Sequence, residues 1–162
     1  MDRIMNDLDI ENSKVFLKEE LMKFAKGEFP LTDLIITKSL RSHYKDPDRI
    51  AHKVLADRMA ERDPGNKPCA NDRIPYIYIN IKKKSKKEHI LQGDMIESPE
   101  FIIKNNLIPN YGYYIEKQLM KPISQIYDLI MNDSHKLFEE SLRYVNNKKD
   151  NVKPLTDWFN NK

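Results

Sequence analysis

An α+β fold, mostly helical with a small antiparallel β-sheet, is what this 162-residue sequence predicts, and three observations predict it. Apolar residues recur at helical spacing along most of the chain, while one stretch, "IPYIYINI", alternates with the period of two that marks a strand. Four glycines are too few for a fold built on glycine-rich turns or a phosphate-cradling loop. The length suits one domain with a real core, and 40% apolar with 33% charged residues is a globular composition, not a disordered one.

The elements follow in order. Residues 13–26 place Leu17, Leu21 and Phe24 on one helical stripe, with Ser13 as N-cap and Gly27 where a left-handed C-cap belongs. "DLIITKSL" (33–40) reads as a strand passing into a turn. In "KDPDRIAHKVLADRMAER", Asp46 caps a helix with Pro47 at its first position. Ile50, Ala51, Val54, Leu55 and Met59 share one side of it, and Arg58 falls in the same arc, where it needs a partner. "DPGNKPCAND" is a loop. In the strand that follows, Ile77, Ile79 and Ile81 face one way and Tyr76, Tyr78 and Asn80 the other. "HILQGDMIE" (89–97) is its return strand, with the lysines of 82–87 crowding the turn. Ser98 caps a helix with Pro99 in its first turn. "YGYYIEKQLMKPISQIYDLIM" continues as helix, bent near Pro122. Asp133 caps a last helix over 133–145, a polar linker follows, and "LTDWF" ends the chain as an apolar tail.

Charge and chemistry narrow the function classes. A net charge of +3 excludes a histone-like polycation. The single Cys69 can form neither an internal disulfide nor a zinc set and has no activating base nearby, which suits an intracellular chain, nuclear or cytoplasmic. No apolar run approaches membrane-spanning length, and "MDRIMNDLDI" lacks a signal peptide's apolar core. Asp7 and Asp9 form a D-x-D pair, but two-metal chemistry needs further carboxylates from other elements. His43, His52, His89 and His135 have no ligand spacing. No catalytic residue and no metal ligand is predicted. Basic residues tell more: Lys38, Arg41, His43, Lys45, Arg49 and Lys53 follow the first strand, and Arg58, Arg62, Lys67 and Arg73 flank the loop before Tyr76 and Tyr78. Cations interleaved with tyrosines suit sugar-phosphate contact; a solvated face with ion pairs is the competing explanation.

At "LIITKSLRSHYKDPDRIAHKVLADRMAERDPGNKPCANDRIPYIYI" the chain resembles family B DNA polymerases, the replicative group that includes the eukaryotic delta-type enzyme. The residues are Ile36–Leu40 for I-T-K-x-L, His52 to Met59 for the histidine-bearing helix, and Asp72–Tyr76 for D-R-[IV]-x-Y. "YYIEKQLMKPISQIYDLI" (113–130) is similar to the family's thumb helix, and "RDPGNKP" is most similar to polymerases of large DNA viruses. The resemblance covers residues 13–135. It implies an end-of-palm segment at 1–32, a thumb domain at 33–145 and a linker with an aromatic tail at 146–162. It departs from the family where the palm carboxylate motifs, the exonuclease D-x-E and the C-terminal cysteine clusters are missing. The expected Mg2+ therefore belongs to a palm active site outside these residues, and this chain would contribute to nucleotidyl transfer without catalysing it.

What the resemblance implies of partners is primer–template duplex DNA, gripped through sequence-tolerant backbone contacts, and the remainder of the polymerase. Lys38, Arg41, Arg73 and Tyr76 are the foremost candidate contacts, then His52, Arg58 and Arg62. Two readings of Arg73 stand, a DNA contact or a structural pair with Asp72 or a glutamate; for Arg58 a core position competes. Tyr113, Tyr114 and Gln118 would hold thumb helices together. Leu155, Trp158 and Phe159 resemble the sliding-clamp-binding peptide, with Val152 in place of its glutamine; a tail docked on the thumb is the rival. A docking module, a split or remnant polymerase segment, is the alternative from another class.

Overall fold

A computed structural model describes residues 10–81 and 90–148. The D-x-D pair, the 82–87 lysines, His89 and the Leu155, Trp158 and Phe159 tail lie outside the described residues. The predicted α+β class holds: helices predominate, and the sheet has three antiparallel strands in the order β1 (Ile36–Ser39), β2 (Arg73–Tyr78), β3 (Ile96–Glu97). The other elements are α1 (Ile10–Lys26), α2 (Ala51–Arg62), α3 (Pro99–Asn105), α4 (Tyr111–Tyr113), α5 (Met120–Tyr127) and α6 (Glu139–Lys148). They fall into two compact units. The first joins the N-terminal residues through Pro30 to Asn110 and beyond, and the second runs from Leu31 to Pro109.

The first unit is helical because α1 cannot bury its stripe alone. Leu21 and Ala25 of α1 form one core with Ile115, Tyr127, Leu137, Phe138 and Val145. Ser13 is no cap: it is buried inside α1, where its hydroxyl meets the Tyr127 hydroxyl at 2.6 Å, and Tyr127 donates to the Ser13 carbonyl at 3.2 Å. A side chain facing another helix is thereby satisfied at long range, which local capping rules cannot register. The bend expected at Pro122 appears one turn earlier. Residues Tyr114–Leu119 are π-helical between α4 and α5, and the Met120 amide reaches back to the Ile115 carbonyl. Proline lacks an amide and crowds the turn before it, and the widened turn accommodates that crowding. Asp133 sits in the left-handed region at φ 62°, makes no side-chain cap, and precedes a 3-10 turn (Ser134–Leu137) ahead of α6.

Gly27 does end α1 as the sequence predicts. At φ 82° its amide bonds to the Phe24 carbonyl, and the Glu28 amide to the Lys23 carbonyl, the paired bonds of a glycine-terminated helix. A Cβ there would stand 2.8 Å from the Tyr111 hydroxyl. Gly27→Ala is therefore expected to destabilise the chain by about 1–2 kcal/mol, from the left-handed backbone together with that contact. Urea denaturation reads the loss, and an unchanged midpoint would show that the turn relaxes without strain.

In the second unit β2 is central, pairing Ile36↔Tyr76 through Ser39↔Arg73 on one side and Ile77↔Glu97 and Tyr78↔Ile96 on the other. The expected return strand shrinks to Ile96–Glu97 because a 3-10 turn (Gln92–Met95) precedes it. Both of the faces expected of this strand are covered. Tyr76, Ile77, Tyr78 and Ile79 are all buried, since α3 and the Ile79↔Pro109 bridge join the packing. Asp46 and Pro47 open a 3-10 turn (Pro47–Arg49), and α2 itself begins at Ala51. Ser98 caps α3 as predicted, accepting from the Phe101 amide at 3.3 Å.

Candidate nucleic-acid interface

Register decides which candidates can meet a ligand. Lys38 stands opposite Ile74 and Ser39 opposite Arg73, so Lys38 and Arg73 leave opposite faces at one end of the β1–β2 ladder. Both are exposed, and β1 is an edge strand with nothing beyond it among the described residues. The Arg73 guanidinium donates to the Thr37 hydroxyl at 2.9 Å. The alternative pairing with Asp72 is not made: that carboxylate accepts the Cys69 amide at 2.7 Å. Among the described residues neither Lys38, Arg41 nor Arg73 has a carboxylate partner. Three long cations at one sheet end thus keep their charge available.

Arg41 begins the connection from β1 to α2, and its backbone is tied down. Its amide donates to the Tyr44 hydroxyl at 2.7 Å, and that hydroxyl lies 3.0 Å from His52 Nε2 on the first turn of α2. The two rings meet edge to face with centroids 5.9 Å apart. Burial holds the His52 imidazole below the ordinary histidine value; a hydrogen bond with the Ser39 backbone opposes this, and the Lys38 and Arg41 charges reinforce it. The structure therefore brings Lys38, Arg41 and His52 together. Tyr44 is the residue that sequence reasoning missed; a tyrosine eight positions before a histidine carries no signal until the loop closes.

Arg58 and Arg62 are turned toward Glu97 instead. Arg62 grips the Glu97 carboxylate with both terminal nitrogens, at 3.0 and 2.9 Å, and its guanidinium lies over the Phe101 ring, 3.8 Å from the centroid. Arg58 donates to the carbonyls of Gly93 (2.9 Å) and Ile96 (2.6 Å) and stands 3.5 Å from Glu97. Its Nε is buried with no partner among the described residues. Gly93 makes the approach possible, because a Cβ there would lie 2.9 Å from Val54 of α2. Burial lowers the Arg58 value, with Glu97 opposing and Arg62 adding to the lowering. Glu97 is wholly buried and also accepts the Ser98 amide at 3.3 Å. These groups fasten α2 to β3. Tyr76 is interior at 5% exposure, its ring edge-to-face with Tyr78.

His43, His135 and Cys69 are exposed and separate. Among the described residues no three of His, Cys, Asp and Glu gather where they could hold a metal ion. No described helix is long and apolar enough to cross a membrane.

Residues 1–130 match the family described as DNA polymerase family B. A DNA polymerase of Acanthamoeba polyphaga mimivirus is 48% identical over 98% of this chain, and one of Pyramimonas orientalis virus is 46% identical over 97%. The DNA polymerase delta catalytic subunit of Schizosaccharomyces pombe is 30% identical over 81%. The chain spans 9%, 14% and 12% of the lengths of these relatives.

Proposed function

The chain belongs to DNA polymerase family B, and on that premise we propose that it is the end-of-palm and thumb segment of a replicative polymerase, holding primer–template duplex by its sugar-phosphate backbone. The observation that supports this is the basic end of the β1–β2 ladder. Lys38, Arg41 and Arg73 are exposed without carboxylate partners among the described residues, while Arg58 and Arg62 of the same unit stand within ion-pair distance of Glu97. Point charges and hydroxyls without base-reading geometry suit an enzyme that must slide over any sequence. Nucleotidyl transfer itself would rest on carboxylates and Mg2+ held elsewhere in the polymerase.

The experiment is fluorescence anisotropy of the full chain with duplex primer–template and with single-stranded DNA across a salt series. Duplex-preferring, sequence-indifferent binding that weakens steeply with salt is expected. Lys38→Ala, Arg41→Ala and Arg73→Ala should each lower the slope of log affinity against log salt by about 1, with similar effect on every sequence. A folded chain that binds no DNA at low salt overturns the proposal. Leu155, Trp158 and Phe159 add a separable element, a sliding-clamp contact; failure of a peptide of residues 148–162 to bind any clamp removes it.

A further inference from the structure

We propose that Tyr44 is a positioning residue that ties His52 to the Arg41 backbone, so that the duplex, on binding Lys38 and Arg41, draws a proton onto His52 and gains a third cation. This rests on the duplex-holding reading above and adds a regulation of the same site.

The geometry carries the first step. The Arg41 amide donates to the Tyr44 oxygen, so the phenol's own hydrogen is left for His52 Nε2, 3.0 Å away, when the imidazole is neutral. Protonation places a hydrogen on both ring nitrogens. The contact survives by reversing: Nε2–H donates to the second lone pair of Tyr44, whose hydrogen turns outward. The tie therefore keeps the ring in place in either state, and the proton moves between His52 Nε2 and solvent with no other bond broken.

The second step is electrostatic. Among the described residues, the charged groups that act on His52 are Lys38 from the end of β1 and Arg41 from the connection, both cations. In the free chain they oppose a charge on the imidazole, and burial opposes it more. A phosphate that neutralises either cation removes the repulsion and attracts the imidazolium as well. Reciprocity then requires that whatever makes protonation easier on binding makes binding tighter on protonation, so duplex affinity rises as pH falls through the histidine range.

The test is the His52 ring resonance of the full chain, titrated between about pH 5.5 and 8 with and without duplex at low salt, alongside anisotropy over the same range. The expected result is a free His52 that titrates below about 6.5 and moves upward with duplex, while affinity increases several-fold toward acid. His52→Gln should flatten that profile. Tyr44→Phe, which keeps the ring and loses the hydroxyl, should flatten it partly and weaken binding, because the imidazole is no longer held against Lys38 and Arg41. His43→Gln should leave the profile intact. Binding with an unmoved His52 resonance, or a pH dependence that follows His43, overturns this inference alone. An absence of duplex binding at every pH overturns the duplex-holding reading and this inference together.

Discussion

Glu97→Ala is expected to remove about 3–5 kcal/mol of stability, the loss that follows when one member of a buried ion pair is deleted and its partners stay. Glu97 has no solvent-exposed surface, and its two oxygens receive both terminal nitrogens of Arg62. Arg58, 3.5 Å away, would lose the strongest of the attractions that support its charge, ahead of those from Asp94 and Glu61. Two guanidiniums would then face each other across an empty site at the junction of α2 and β3. Since domains of this size are stable by only about 5–15 kcal/mol, the variant should be near its unfolding threshold at ordinary temperature. Glu97→Gln keeps an acceptor oxygen but no charge, and should fall between. The Arg62→Met, Glu97→Leu double variant should lose less than Glu97→Ala, because a broken pair is worse than an apolar replacement of both members. Urea denaturation of the three variants decides it: a loss below about 1 kcal/mol for Glu97→Ala would mean that water reaches the site and screens the arginines.

That pair also shows where sequence reading stops. The class, the sheet, the Ser98 cap and the Gly27 terminus were legible because each rests on residues a few positions apart: a period of two, an oxygen three residues before an amide, a glycine after an apolar stripe. Arg58 could be seen to need a partner, since it shares an arc with Val54 and Leu55, but its partners are carbonyls and a carboxylate more than thirty residues on. Glu97, next to Ser98 and Pro99, reads locally as a helix-entry charge. Tyr76 and Tyr78 alternate with isoleucines and so predict two faces, but not that the chain covers both by packing α3 and the Pro109 bridge against the sheet. Of the candidate interface, the exposed cations at the ladder end were visible as types and the tie through Tyr44 was not. Periodicity gives the faces of an element; only the fold says what lies against each of them.

Phe138→Ala should be of similar size, about 3–5 kcal/mol, by a different mechanism. Phe138 is completely buried at the junction between the 3-10 turn and α6, in a core with Leu21 and Ala25 of α1, Ile115, Tyr127 and Val145. Removing the ring deletes its transfer free energy and leaves a cavity whose walls come from helices far apart in sequence. Collapse is restricted, because the backbone at this point is already committed: the Phe138 carbonyl accepts the Leu142 amide at 3.0 Å and the Ser141 hydroxyl at 2.9 Å. Phe138→Leu fills most of the volume and should cost less than half as much, so the ratio of the two separates a cavity from a lost aromatic contact. Amide hydrogen exchange is the sharper readout. Phe138→Ala should strip protection from α5 and α6, whereas preserved protection there at native-like urea midpoints would show that the core repacks around the gap and that Phe138 does not hold this unit together.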